Sequence, residues 1–263
     1  MLRYRCGSCK KTFSRRTGTR IARIHRLGLF FDVLKDMLGP RPPSSARVLA
    51  RRLGLNKHTV WRRRLIALSA LSGISDTAFS GIVEADETYQ KESSKGSRKW
   101  VRHQRDPLNY PKPPRMRWYE YGKKGVPMLR GLSKWQLPIL TVVDRSGARC
   151  FERIPDRNHS TIKRALSPML APDAVLCTDA HTASKALSKA QGFEHFIVRS
   201  KPGQKTMPAS YHIQNVNPLR SRFKGFLRSF RGPASKNLAG YIQWFLARAS
   251  SINPSGIMRR ALR

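Results

Sequence analysis

Two aspartates, Asp86 and Asp179, each close a predicted strand of this 263-residue chain. Carboxylates brought to one sheet edge supply the hard oxygens that Mg2+ or Mn2+ prefers. Two such ions, about 3.5–4 Å apart, can activate an attacking oxygen and stabilise a leaving one in phosphoryl transfer. Taken singly, each aspartate reads better as a turn or cap residue. Sites of this kind usually take a third acid from a helix near the end of the chain, but here Glu194 is the last carboxylate. Asn217 offers a neutral amide oxygen instead, and Lys224 follows it at a spacing that returns to nearly the same helix face, about 10.5 Å along the axis. Asn217 could help hold a metal while Lys224 meets a phosphate. Equally, Asn217 before Pro218 is an ordinary N-cap and first-turn pair.

A second candidate centre lies near the start. Cys6 and Cys9 form CGSC, a spacing that lets both thiolates reach one zinc ion. A structural zinc needs more ligands than these, and His25 is the nearest further candidate. Cys150 and Cys177 fall in predicted strands and read as small buried hydrophobes. The arm 1–20 therefore looks like half of a zinc ribbon.

The charge says what such chemistry would act on. The chain carries 52 Lys+Arg against 15 Asp+Glu, a net charge of +37. A body so charged repels itself and is suited to a polyanion, and nucleic acid gains from the counterions released on binding. No apolar run approaches the roughly 18 residues of a membrane span, because LGLFF (27–31) and LPILTVV (137–143) are core-sized. The first residues hold no apolar signal core, and scattered cysteines fit a reducing, cytoplasmic setting.

Several elements must position these groups. Residues 21–75 read as helical. Within SARVLARRLGLNKHTVWRRRLIAL (45–68), Val48, Leu49 and Leu53 give one apolar face, Gly54 a turn, and Val60 and Leu65 a second face. That is helix-turn-helix spacing, with Lys57, His58, Thr59, Arg62 and Arg63 offered to a major groove. From residue 79 the pattern turns to strands. A basic insert over 90–135, including Lys95, Arg98 and Lys99, interleaves cations with Trp100, Tyr110, Trp118, Tyr119 and Tyr121, as a grip on DNA would. A hairpin over 135–155, a helix over 158–170, a strand ending at Asp179, a helix over 182–192, a strand over 193–199 and two basic helices (215–231 and 234–250) follow. The order describes an α/β domain with a mixed, RNase H-like sheet flanked by helices over 79–250, and a basic tail over 251–263. In that order the first and fourth strands are neighbours, which would bring Asp86 beside Asp179.

VEADET (83–88), KGSRKW (95–100), RGLSKWQLPILTVVDRSG (130–147), LCTDAH (176–181) and HIQNVN with SRFKGFLRSFRGPASKNLAGYIQW (212–244) together resemble bacterial insertion-sequence transposases, in the ISXO-like lineage of the DDE superfamily. The similarity spans nearly the whole chain. It implies an Asp-Asp-Asn-Lys site of Asp86, Asp179, Asn217 and Lys224 holding two Mg2+ or Mn2+ ions. It also implies action on the terminal inverted repeats of an element and on target DNA, by a homo-oligomer. The family pattern begins with two zinc knuckles and this chain shows one, which implies a ribbon cut short or decayed. An inactive, transposase-derived DNA binder would share the basic surface yet need no metal. The two readings part on whether Asp86, Asp179 and Asn217 converge.

Overall fold

The structure, a computed structural model, describes residues 2–71, 73–76, 78–113, 135–179, 194–198, 211–250 and 252–261. The helix expected over 182–192 and the stretch 114–134 of the insert lie outside them. In chain order the elements are β1 (Tyr4–Arg5), β2 (Thr12–Phe13), α1 (Leu27–Leu38), α2 (Ala46–Arg52), α3 (Lys57–Ala70), β3 (Ile82–Lys91) and α4 (Lys99–Arg105). Then come β4 (Gln136–Asp144), β5 (Arg149–Arg153), α5 (His159–Leu166), β6 (Val175–Asp179), β7 (His195–Val198), α6 (Val216–Ser229), α7 (Leu238–Ala249) and α8 (Pro254–Ala261). The chain divides into two compact units, Met1–Ser75 with Ala239–Arg263, and Asp76–Leu238.

The first unit is built on helices. α1 buries Phe30, Val33, Leu34, Met37 and Leu38, the stripe of a one-sided helix. It stops at Gly39, where any side chain would sit 2.7 Å from the Lys35 carbonyl. α2 and α3 are capped by Ser45 and Asn56, and Gly54 turns between them at φ 61°. Val48 does not join the apolar face and is 52% exposed. Leu49 is buried as expected and Ala50 is buried in place of Val48, since one helical step swings a side chain by about 100°. Asp36 draws this corner together by pairing with Arg52 and Arg64.

α7 and α8 belong to this unit. The fully buried Trp244 donates from Nε1 to the Met37 carbonyl at 2.7 Å. Ile257 and Ala261 are buried on α8, which packs on α1 and α3. Residues 239–249 thus part from the sheet domain that 79–250 was expected to form. Most of the expected tail is a packed helix, because Ile257 and Ala261, four residues apart, face one core.

The second unit is a five-stranded mixed sheet in the order β5-β4-β3-β6-β7. β3 runs antiparallel to β4 from Val83↔Asp144 to Lys91↔Gln136, and β4 antiparallel to β5. β3 and β6 are parallel, as are β6 and β7. Alternation along β3 splits its side chains between two faces. Val83 and Ala85 join Leu140, Val142, Leu176 and, from α5, Ile162 and Leu166 in one core. Glu84, Asp86 and Thr88 point the other way, toward α6, whose Val216, Leu219, Phe223 and Leu227 are buried. Phe223 packs on Phe151 of β5 with ring centroids 4.7 Å apart.

Candidate active site

Asp86 and Asp179 arise on neighbouring parallel strands. Asp179 closes β6 as expected, but Asp86 stands inside β3, which does not end there because its pairing with β4 runs on to Lys91. The ladder between β3 and β6 ends at Glu84↔Cys177. The two aspartates stand two residues further on each strand, so they are level and share the face of Glu84 and Cys177. Asp179 also lies within electrostatic reach of β3. Its charge, after burial and Glu87, helps raise the Tyr89 phenol pKa.

That face is covered by α6, and Glu84 fixes how. Its carboxylate is 1% exposed and accepts from the backbone N–H groups of Asn215 (2.8 Å) and Val216 (2.9 Å) and from Asn215 Nδ2 (3.0 Å). Arg145 Nη1 pairs with it at 2.6 Å. An acid at the N-terminus of a helix satisfies orphan donors and opposes the helix dipole. Asn215, not Asn217, therefore stands at the cap position. Asn217 sits inside the first turn, with an exposed side chain.

One residue connects Asn217 to the strand. Arg220 pairs through Nη1 with Asp86 Oδ2, and the same nitrogen approaches Asn217 Oδ1 at 3.5 Å. The other Asp86 oxygen, Oδ1, accepts from the Glu87 backbone N–H at 2.7 Å. Among the described residues Arg220 Nε is buried without a partner. Burial holds the Arg220 guanidinium below its usual range, and burial together with the charge of Arg220 does the same to Lys224. Lys224 is exposed one turn beyond Arg220. A carboxylate oxygen and an amide oxygen thus already share one cationic group, and a second carboxylate stands level on the next strand. Among the described residues, no three His, Cys, Asp or Glu side chains gather as metal ligands. A metal here would take two carboxylates and an amide, a hard-oxygen set that suits Mg2+ or Mn2+.

The other expected contacts sort by burial. Lys57, His58 and Arg62 are exposed on α3, Thr59 is half-buried, and Trp61 lies exposed among them. Arg63 is the correction. It is 6% exposed and turns inward to the His25 carbonyl at 2.8 Å, because it falls on the Val60–Ala67 side of the helix. Lys95 is also engaged, its ammonium donating to the carbonyls of Arg231 and, at 2.7 Å, Gly232. Arg98 and Lys99 are exposed at the start of α4. Cys6 and Cys9 lie in the turn between β1 and β2. Hydrogen bonds from the Cys9 backbone and side chain lower the Cys6 pKa. His25 joins no described ligand group with them. Cys150 and Cys177 are buried, and burial, then the charge of Glu84, raises the Cys177 thiol to about 11.

Glu84, Arg145 and Arg220 escaped the reading of the sequence. The signal for Glu84 was its parity with Asp86 on one strand; Arg220 lay one turn from Asn217 in a run of cations. No family model matches the chain, and no curated protein matches it. Among solved structures, a crystal structure of a pre-cleavage Mos1 transpososome is similar over 84% of this chain and 78% of that one, at 12% identity and a TM-score of 0.25. A likeness so slight carries no argument, and the site rests on its own geometry.

Proposed function

We propose that this chain is a DNA transposase with an RNase H-like catalytic domain. It hydrolyses a phosphodiester bond at each end of a mobile element and joins the freed 3′-hydroxyl to target DNA. Both steps are in-line phosphoryl transfers without a covalent enzyme intermediate. The observation that carries this reading is the β3–β6 pairing, which brings Asp86 and Asp179 level on one sheet face, with the helix that bears Asn217 packed over β3 and β4. These three residues would hold one or two Mg2+ or Mn2+ ions, which when bound supply Lewis-acid stabilisation of the reacting phosphate.

The chain's own groups do the rest. Glu84 fixes the height of α6 over the sheet. Lys224 presents a cation to the backbone of the bound strand. α2 and α3 act as a helix-turn-helix on the terminal inverted repeats through Lys57, His58, Thr59 and Arg62. Arg98 and Lys99 grip flanking or target DNA, and pairing of two ends calls for a homo-oligomer. No helix among the described residues is long and apolar enough to cross a membrane.

The test is cleavage and strand transfer on the element's own terminal DNA, with Mg2+ or Mn2+. Wild type should give both products, and Asp86→Ala and Asp179→Ala neither, at a DNA affinity no weaker than that of wild type. A wild type that binds the ends but never cuts them would reject the enzyme in favour of a DNA-binding remnant. The Arg220–Asp86 pair gives that second reading its one specific support, since a carboxylate held for good by arginine is lost to a metal.

A further inference from the structure

The position of Arg220 deepens the proposed reading and rests on it. Its Nη1 meets a carboxylate oxygen of Asp86 and an amide oxygen of Asn217, two of the three groups that would hold a divalent cation. Positive charge therefore already occupies the point where those ligands face one another. The guanidinium is not fully served. The 3.5 Å approach of Nη1 to Asn217 is long, and Nε is buried with no acceptor among the described residues. A buried donor without a partner is costly and calls for an explanation. Arg145, in the turn after β4, shows the alternative, a 2.6 Å pair to Glu84, whose carboxylate is further fixed by the start of α6.

We propose that Arg220 is a displaceable counter-cation. It neutralises Asp86 while no metal is bound, competes with the divalent ion for Asp86 Oδ2, and once displaced turns its guanidinium to a phosphate of the DNA strand. The planar fork suits that second partner, since it can meet two phosphate oxygens at once. The exchange requires only rotation of a side chain on a fixed helix. It makes binding of metal and of DNA mutually supportive, because the ion releases the residue that the strand needs.

Two readouts independent of turnover test this on the full-length chain. Mn2+ binding is measured by loss of the free-ion EPR signal without DNA, for wild type, Arg220→Gln, Arg220→Lys and Asp86→Asn. Removing the competitor should tighten Mn2+ about tenfold in Arg220→Gln. Arg220→Lys, which keeps the charge but loses the fork, should fall between it and wild type, and Asp86→Asn should lose the site. DNA affinity is then measured against salt, with and without Ca2+. Ca2+ should strengthen binding by wild type more than by Arg220→Gln, and steepen the salt slope of wild type by about one more than that of Arg220→Gln.

Equal or weaker Mn2+ binding by both Arg220 variants, with Asp86→Asn still losing the ion, would overturn the exchange and leave the metal-dependent enzyme standing. A wild type that takes up no Mn2+ at this site would overturn the enzyme reading and the exchange with it. If Arg220→Gln does not fold, Arg220→Lys decides the matter on the same scale.

Discussion

Glu84 and Asp86 are two residues apart on one strand, face the same helix and carry the same charge, yet the fold uses them differently. Glu84 is sealed beneath the start of α6, where two backbone N–H groups, an amide and a guanidinium meet its carboxylate. Asp86 lies at the next level and meets a neighbouring N–H and an arginine whose Nε is buried without an acceptor among the described residues. Saturated acids hold structure together; under-served ones are free to exchange partners. The largest expected effect follows. Glu84→Ala leaves Arg145 and the α6 terminus without their acid and should cost roughly 3–5 kcal/mol in urea unfolding. Asp86→Ala should cost roughly 1–2 kcal/mol while abolishing cleavage. Equal losses of stability would erase the distinction.

Asn217 sharpens it. An amide oxygen is a weaker metal ligand than a carboxylate, so Asn217→Glu should lower the metal concentration needed for strand transfer by about tenfold, since added ligand charge tightens such sites. A titration in which wild type saturates at lower metal than the variant would count against Asn217 as a ligand.

Arg62 and Arg63 repeat the contrast in the first unit. Arg62 is exposed, whereas Arg63 is buried, with Nη1 unpartnered and its pKa lowered first by burial and then by Arg26. Arg62→Ala should weaken binding to the element ends and reduce the salt slope by about one, at unchanged stability. Arg63→Met should leave DNA affinity alone and stabilise by about 1 kcal/mol, because it removes a buried donor and a disfavoured charge. Thermal melts and salt titrations of the two variants separate these outcomes, and weakened DNA binding by Arg63→Met would return Arg63 to the groove.

The residues that could be read from the sequence are those whose role follows from strand order. Asp179 ends its strand as expected. Asp86 does not, because β3 runs on to Lys91, yet a mixed sheet in this order still makes their strands neighbours. The hidden residues depend on partners far along the chain. Nothing in VEADET says which acid a helix starting at Val216 will rest upon, and Arg220 is one cation among many until α6 is laid over β3. Likewise Arg63 looks like Arg62 until α3 is rotated onto its core, and Ile257 reads as part of a tail until a groove beside α1 and α3 exists to receive it. Periodicity reports which face is apolar, not which polar side chain that face will bury.

Lys95 and Arg98 give the smallest effect and the closest control. Both were expected to meet phosphates from the base of the insert. Lys95 instead lies over the last carbonyls beyond α6, where Arg231 and Gly232 turn the chain through positive φ. A cation there complements the negative end of the helix and is worth about 0.3–1 kcal/mol. Arg98 stands at the N-cap of α4, but its exposed side chain makes no capping hydrogen bond there. Lys95→Ala should therefore lower stability by that amount and change the DNA salt slope little, whereas Arg98→Ala should leave stability unaltered and reduce the slope by about one. The reverse pattern would mean that the Lys95 ammonium leaves the carbonyls for DNA. α6 would then be anchored at its Glu84 end alone, and its second turn would be freer to shift over Asp86 than the present geometry requires.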